Sequence, residues 1–237
     1  MDRVRFLIPN AITGTSFLLG FGSILCTVSG EFEWAAWLIV WCVLLDVADG
    51  ISARLLNAAS EFGADFDSLS DLVAFGLAPA LLTLNVIWMN DTVAGSWWPI
   101  VVCSVYALLA AIRLAIFNSQ HGTQTRTFKG IPTTVCGALI SLTMILSIKY
   151  GAHQNFSGWP YYVSALILLL SLSMVSKIRF ARPAMPTNRL FSILHMINIA
   201  VTYLCGFLRI FPEYLILGLV LFIATGLFQG AAKRTPG

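Results

Sequence analysis

Charged residues are scarce in this chain. Lysine, arginine, aspartate and glutamate together make up 11% of its 237 residues, whereas 58% are hydrophobic. A soluble domain carries roughly a quarter charged residues, and a chain with so few cannot keep its whole surface in water. The composition therefore excludes an ordinary soluble protein and predicts that lipid surrounds most of the surface.

Paired cysteines and polar linkers are also lacking. The cysteines occur singly within apolar runs, so we predict buried free thiols rather than disulfides or a thiolate metal site. They are Cys26, Cys42, Cys103, Cys136 and Cys205. Because no interdomain linker or low-complexity tract interrupts the chain, we expect one integral membrane domain over residues 1–237 and no nucleic-acid partner.

Long apolar runs are abundant instead. A helix needs about 20 apolar residues to cross the roughly 30 Å hydrocarbon core of a bilayer. Eight runs meet that requirement, approximately residues 8–28, 33–56, 67–89, 97–118, 131–149, 158–177, 191–210 and 212–231. They predict an all-α membrane protein with about eight transmembrane helices.

The positive charges favour one side of this predicted topology. With the N-terminus inside, only Lys149 and Arg209 fall on the outer side. The cytoplasmic segments carry Arg3, Arg5, Arg54, Arg126, Lys129, Lys177, Arg179, Arg182, Arg189, Lys233 and Arg234. This asymmetry follows the positive-inside rule and predicts that both termini are cytoplasmic.

The acidic residues are few but clustered across the end of the second run and the start of the third. Asp46 and Asp49 are three residues apart, and Asp67 and Asp71 are four apart, so each pair shares one face of a helix. A short connection makes the two helices antiparallel neighbours, and their carboxylates can converge. The remaining acids of this segment are predicted to be solvated in the connecting loop: Glu61 and Asp65.

Convergence of four carboxylates is costly unless some of them are protonated or bound cations balance their charge. Each aspartate at mid-membrane costs about 2.5–3.5 kcal/mol, and two carboxylates about 5.5 Å apart repel by about 3 kcal/mol at an effective dielectric constant near 20. Pairing with Arg54 would balance only one of them. Hard oxygen ligands suit Mg²⁺ or Mn²⁺, and four carboxylates balance two such ions. The pattern therefore predicts a divalent-metal site.

The role of Arg113 and the choice between an enzyme and a transporter remain open at this point. Arg113, a cation within the fourth run, binds an anionic substrate group, extends to the inner membrane surface or pairs with one of the aspartates. A cation transporter also needs intramembrane carboxylates, but it should spread them across the membrane depth on several helices. The four acids lie instead near one end of two helices, which favours an enzyme.

The spacing of the acids resembles a family signature. Asp46-x-x-Asp49-Gly50-x-x-Ala53-Arg54 is followed after eight residues by Gly63, and then by Asp67 and Asp71 at regular intervals. This matches without a gap the pattern of the CDP-alcohol phosphotransferases. Shorter elements are similar to those of the membrane-embedded phosphatidylserine synthases within that family: Pro9-Asn10 with Thr13, the run 67–80, Arg113 with Phe117-Asn118, and the run 128–132.

The resemblance implies a fold and a reaction. It implies a six-helix catalytic core over residues 1–180, two extra C-terminal helices over 181–237, and a homodimer. The implied reaction transfers a phosphatidyl group from CDP-diacylglycerol to L-serine and releases CMP. Other family members would use another acceptor alcohol, such as glycerol 3-phosphate or an inositol phosphate. Beyond Arg113 and Lys129 there is little to bind a phosphorylated acceptor, which favours serine.

The resemblance also implies roles for individual residues. The four aspartates would ligate the metal, Mg²⁺ or Mn²⁺ and expected as two ions, and Asp71 would also act as the general base. Asn10, Thr13, Gly50, Arg54, Ser60 and Gly63 would line the site of the CDP-lipid, and Arg113 would bind the serine carboxylate or a phosphate. The active site would face the cytoplasm, with the acyl chains left in the bilayer.

Overall fold

The computed structural model describes residues 2–56, 58, 60–90, 92–119, 128–180 and 189–232. Their helices are α1 (Asp2–Val28), α2 (Phe32–Leu55), α3 (Glu61–Asp71), α4 (Ala78–Trp88), α5 (Trp98–Ser119), α6 (Thr133–Lys149), α7 (Ala152–Asn155), α8 (Trp159–Val175), α9 (Arg189–Leu208) and α10 (Pro212–Ala232). A π-helical turn, Leu72–Leu77, joins α3 to α4, so the two form one continuous span.

Within the described residues, five helical segments are long and apolar enough to cross a membrane. They are Phe6–Val28, Phe32–Leu55, Glu61–Trp88, Trp98–Ser119 and Pro212–Gln229. Three further apolar helices are shorter: Thr133–Lys149, Trp159–Val175 and Ser192–Leu208. The prediction of a helical protein is therefore confirmed, and the five segments are consistent with a multi-pass membrane protein. The full number of eight spans and the cytoplasmic position of both termini stay predictions.

Strands are confined to one small pair within the described residues. β1 (Phe128–Lys129) and β2 (Arg179–Phe180) pair antiparallel. They connect the segment that precedes α6 with the segment that follows α8. Gly130 comes directly after β1 at φ +79°, and a methyl group built on it would lie 2.1 Å from the carbonyl oxygen of Met174. Only glycine fits there, so Gly130 allows the chain before α6 to pass close to the end of α8.

Hydroxyl and thiol side chains bring α1 and α2 together along their length. The Ser23 hydroxyl donates to the carbonyl oxygen of Ala35 at 2.8 Å, and the Cys42 thiol donates to that of Ser16 at 3.3 Å. In lipid, small polar residues of this kind drive helix association, because an apolar side chain gains little by exchanging lipid for protein contacts. All five cysteines are free, as predicted, and four of them are buried.

The span that carries Asp67 begins six residues earlier than predicted. Ser60 caps α3, since its hydroxyl oxygen accepts a hydrogen bond from the N–H of Gly63 at 3.0 Å. The prediction that Glu61 and Asp65 lie in a loop is therefore wrong. Both residues belong to α3, although their side chains are exposed as expected.

The two cations predicted on the outer side lie at the end of the bundle opposite the acids. Lys149 is the last residue of α6, and the Arg209 guanidinium stacks over Trp34 near the start of α2, 3.8 Å from the ring centre. This separation agrees with the predicted asymmetry. Four of the cations assigned to the cytoplasmic side lie outside the described residues: Arg126, Arg182, Lys233 and Arg234.

Candidate active site

Three carboxylates meet between α2 and α3. One oxygen from each of Asp46, Asp49 and Asp67 lies within 4.8 Å of the other two. Asp71, one helical turn beyond Asp67, lies within hydrogen-bonding reach of Asp46. The structure therefore brings Asp46, Asp49 and Asp67 together as one group that could hold a metal, and Asp71 lies one helical turn from it.

Threonine hydroxyls orient two of these carboxylates. Thr13 on α1 donates to Oδ2 of Asp49 at 2.8 Å, and Thr134 on α6 donates to Oδ2 of Asp46 at 3.3 Å. A hydrogen bond to one oxygen fixes the carboxylate plane and leaves the other oxygen for a further ligand. Thr13, predicted to line the substrate site, is therefore placed as a partner of Asp49.

Sequence reasoning missed the threonines at the start of α6. Thr133 accepts a hydrogen bond from Nη1 of Arg113 at 2.6 Å, and Thr134 contacts Asp46. Their signal in the sequence was their position directly after Gly130-Ile131-Pro132, where a helix begins. Nothing in the sequence shows that this helix end reaches the acids. The strand pair and the positive φ of the preceding glycine bring it there.

Arg113 lies beside the acids inside the bundle. Its charge acts on both Asp71 and Asp46, and among the described residues its Nε is buried without a hydrogen-bond partner. A cation in this position offsets part of the repulsion between the carboxylates. Within the described residues Arg113 forms no ion pair with an aspartate, and its role stays a prediction.

Asn10, Ser60 and Gly63 form one corner next to the cluster. A methyl group built on Gly63 would lie 2.9 Å from Oγ of Ser60 and 3.2 Å from Oδ1 of Asn10. A side chain at position 63 would therefore displace the Ser60 hydroxyl and press on Asn10, so glycine leaves room for both side chains. The Ser60 hydroxyl is used as the helix cap, a role that was not predicted from the sequence.

Gly50 and Arg54 lie together on the open side of α2. A methyl group on Gly50 would meet only Nη2 of Arg54 within 4 Å, at 3.7 Å. Arg54 is exposed in the last turn of α2. Within the described part of the chain it makes no ion pair with any of the four aspartates, so simple pairing with Arg54 does not account for the acidic cluster.

The donor set fits a hard divalent cation. Around an octahedral ion bound at about 2.1 Å, adjacent oxygens lie about 3.0 Å apart and opposite ones about 4.2 Å apart. The three oxygens lie within 4.8 Å of one another, which slightly exceeds the larger of these distances, and side-chain rotations would draw them in around an ion. The ligands are carboxylates oriented by hydroxyl donors, a combination that suits Mg²⁺ or Mn²⁺.

Comparison with known proteins agrees with this geometry. The sequence model of the CDP-alcohol phosphatidyltransferase family matches residues 6–182. This chain belongs to that family. The match covers α1 to α8 and therefore every residue of the acidic cluster and its surroundings, whereas α9 and α10 lie beyond it.

Relatives in the family share most of the chain. A protein of Helicobacter pylori (strain J99), named CDP-diacylglycerol–serine O-phosphatidyltransferase, is 39% identical over 176 residues, which cover 74% of this chain and 72% of the relative. A Bacillus subtilis protein of the same name is 32% identical over 73% of this chain and 89% of its own length. One from Mycobacterium tuberculosis (strain H37Rv) is 29% identical over 91% and 74%.

Proposed function

We propose that this chain catalyses the metal-dependent transfer of a phosphatidyl group from CDP-diacylglycerol to L-serine, which yields phosphatidylserine and CMP. The observation that carries the proposal is the convergence of Asp46, Asp49 and Asp67 from two helices, with Asp71 one helical turn away, at the spacing of the family signature. The choice of serine rests on the names of the relatives.

The four aspartates would hold the divalent metal, Mg²⁺ or Mn²⁺ and expected as two ions. When bound, the metal neutralises charge on the pyrophosphate of the donor and on the departing CMP. Thr13 and Thr134 keep Asp49 and Asp46 turned toward this position through their hydrogen bonds. Removal of either hydroxyl would leave the carboxylate free to rotate.

Asp71 is the proposed general base. The serine hydroxyl oxygen forms a bond to the phosphorus that carries diacylglycerol, and the bond from that phosphorus to the oxygen of CMP breaks. The hydroxyl proton passes to a carboxylate oxygen of Asp71. Asp71 is the last residue of α3 and lies directly before the π-helical turn.

The remaining predicted residues would bind the two substrates. Arg54 offers a planar fork of donors to a phosphate, and Gly50 beside it lets the nucleotide approach the helix backbone. Asn10, Ser60 and Gly63 would complete the site of the CDP-lipid. Arg113, held by Thr133, would bind the serine carboxylate.

The arrangement in the membrane is part of the same proposal. Eight spans would place both termini and the acids on the cytoplasmic side, with a catalytic core over residues 1–180 and an added helical pair over 181–237. The CDP-lipid would enter from the bilayer and leave its acyl chains there. A homodimer is expected from the family resemblance.

Release of CMP tests the proposal. Purified protein in nanodiscs, supplied with CDP-diacylglycerol and Mn²⁺ or Mg²⁺, should release CMP only when L-serine is added, and a chelator should stop the release. Parallel reactions with glycerol 3-phosphate and with an inositol phosphate identify the acceptor. Release that depends on one of these would move the assignment within the family, and no acceptor-dependent CMP would defeat the enzyme assignment. Metal flux into vesicles without CMP release would favour the transporter.

A further inference from the structure

The span Glu61–Trp88 is not a uniform α-helix. Immediately after Asp71 it widens into the π-helical turn Leu72–Leu77, in which the N–H of Ala78 donates to the carbonyl oxygen of Val73, five residues back. Such turns are rare and often mark functional sites. The turn lies between the two acids of α3 and the packed helix α4, so its geometry affects how the acids are oriented relative to α4.

Pro79 provides a local cause for the widened turn. Proline has no N–H, and in a regular α-helix its ring would clash with the carbonyl group four residues earlier, which here is that of Phe75. The Phe75 carbonyl oxygen accepts a hydrogen bond from the hydroxyl of Tyr106 on α5 instead, at 2.7 Å. Tyr106 is fully buried, so this bond is sheltered from water.

Two other helices hold the turn by close contact. A methyl group on Gly20 of α1 would lie 2.9 Å from Cα of Ala74, and one on Gly137 of α6 would lie 3.0 Å from Cβ of Phe75. The turn is therefore enclosed by α1, α5 and α6. Of these three contacts, the Tyr106 hydroxyl is the one that meets a backbone carbonyl with a directional bond.

We propose that Tyr106 is a positioning residue that sets the rotation of Asp67 and Asp71 about the axis of their helix. One residue added to a helical turn rotates the helix on one side of the turn by about 100° relative to the helix on the other side. With α4 held by its packing, a regular α-helix through 72–77 would turn both acids away from Asp46 on α2. The inference rests on the proposed function of the four aspartates as metal ligands.

Tyr106→Phe tests the proposal because it keeps the ring and removes only the hydroxyl. Mn²⁺ binding to the purified protein in nanodiscs is measured by electron paramagnetic resonance, and kcat and KM for the CDP-lipid are measured alongside. We expect Mn²⁺ affinity and kcat each to fall by about three- to tenfold, the range that corresponds to one net hydrogen bond. The KM for the CDP-lipid should change less. Tyr150→Phe, at the opposite end of the bundle, is the matched control and should change neither quantity.

The unfolding temperature in the presence of chelator separates positioning from a purely structural role. A variant whose unfolding temperature falls while the Mn²⁺ affinity of the folded protein stays at the wild-type value would overturn the proposal. Should Tyr106→Phe fail to fold, Pro79→Ala decides instead. It restores an N–H four residues after Phe75, and it should weaken Mn²⁺ binding as the turn relaxes. Unchanged binding by that variant would be equally decisive against the proposal.

Wild-type protein distinguishes this inference from the proposed function. If the wild type binds Mn²⁺ and the Tyr106 and Pro79 variants bind it equally well, the positioning role is wrong and the metal site stands. If the wild type binds no Mn²⁺, the metal site itself is wrong, and the positioning role falls with it.

Discussion

Two spans of this protein have the same mean hydropathy, but one is largely surrounded by protein and the other is largely exposed on the protein surface. Glu61–Trp88 and Pro212–Gln229 each reach a mean hydropathy of 1.6, yet 61% of the first apolar window is buried within the protein and only 17% of the second. The first carries Asp67 and Asp71, and the second exposes Leu217, Leu221 and Phe228. Hydropathy therefore reports which segments enter lipid, but not which of them forms the centre of the bundle.

Close contacts between small residues separate the two spans. Gly20 and Gly137 leave room for the central span, whereas Gly218 in α10 has no neighbour within 4 Å of an added methyl group. Lipid chains are as apolar as leucine, so an apolar side chain gains little by turning inward. Small residues and polar contacts thus decide which apolar helix is surrounded by protein.

The largest contrast should come from removing one acid from each span. Asp71→Asn should lower turnover by a factor of about 10² or more, because a general base contributes roughly 10²–10⁴ to the rate. Glu213→Gln, at the start of α10, should leave turnover near the wild-type value. The measurement is serine-dependent CMP release, together with binding of the CDP-lipid, which Asp71→Asn should largely retain. Near-native turnover in Asp71→Asn would remove the base assignment.

A second contrast concerns packing alone. Gly20→Ala forces a carbon to within 2.9 Å of Cα of Ala74, and such overpacking typically costs about 1–3 kcal/mol. Gly218→Ala meets nothing and should not lower stability. Chemical unfolding of both variants in the same detergent gives the comparison. Equal stability of the two variants would show that the central span tolerates displacement and that its burial is not tightly packed.

The smallest of these effects concerns the helix cap at the entrance to the central span. Ser60→Ala should lower the free energy of unfolding by about 1 kcal/mol, because the cap of α3 is lost. Ser60→Asp keeps the cap and should restore stability, but it adds a negative charge where the CDP-lipid would bind. A rise in KM for the CDP-lipid in Ser60→Asp, measured by CMP release, would assign Ser60 a substrate contact in addition to its cap.

Parts of the candidate site could be predicted from sequence because they depend on local spacing. Asp46 and Asp49 share a helical face whatever surrounds them, and the short connection to Asp67 makes the two helices neighbours. The early start of α3 was missed because the capping role of Ser60 was not recognised. Thr133 and Thr134 were missed because their partners lie far away in the chain.

The amino-acid sequence by itself determined that lipid surrounds most of the surface, that the chain is helical, and that the four acids cluster. These depend on composition and on residue spacing along single helices. Only the tertiary structure decided which apolar span is central, which hydroxyls face Asp46 and Asp49, and that a π-helical turn comes directly after Asp71. The physical reason is that these features depend on contacts between helices. At such a contact the space left by a glycine or the hydrogen bond of one hydroxyl decides which helices pack together, whereas the mean hydropathy of Glu61–Trp88 and Pro212–Gln229 is the same.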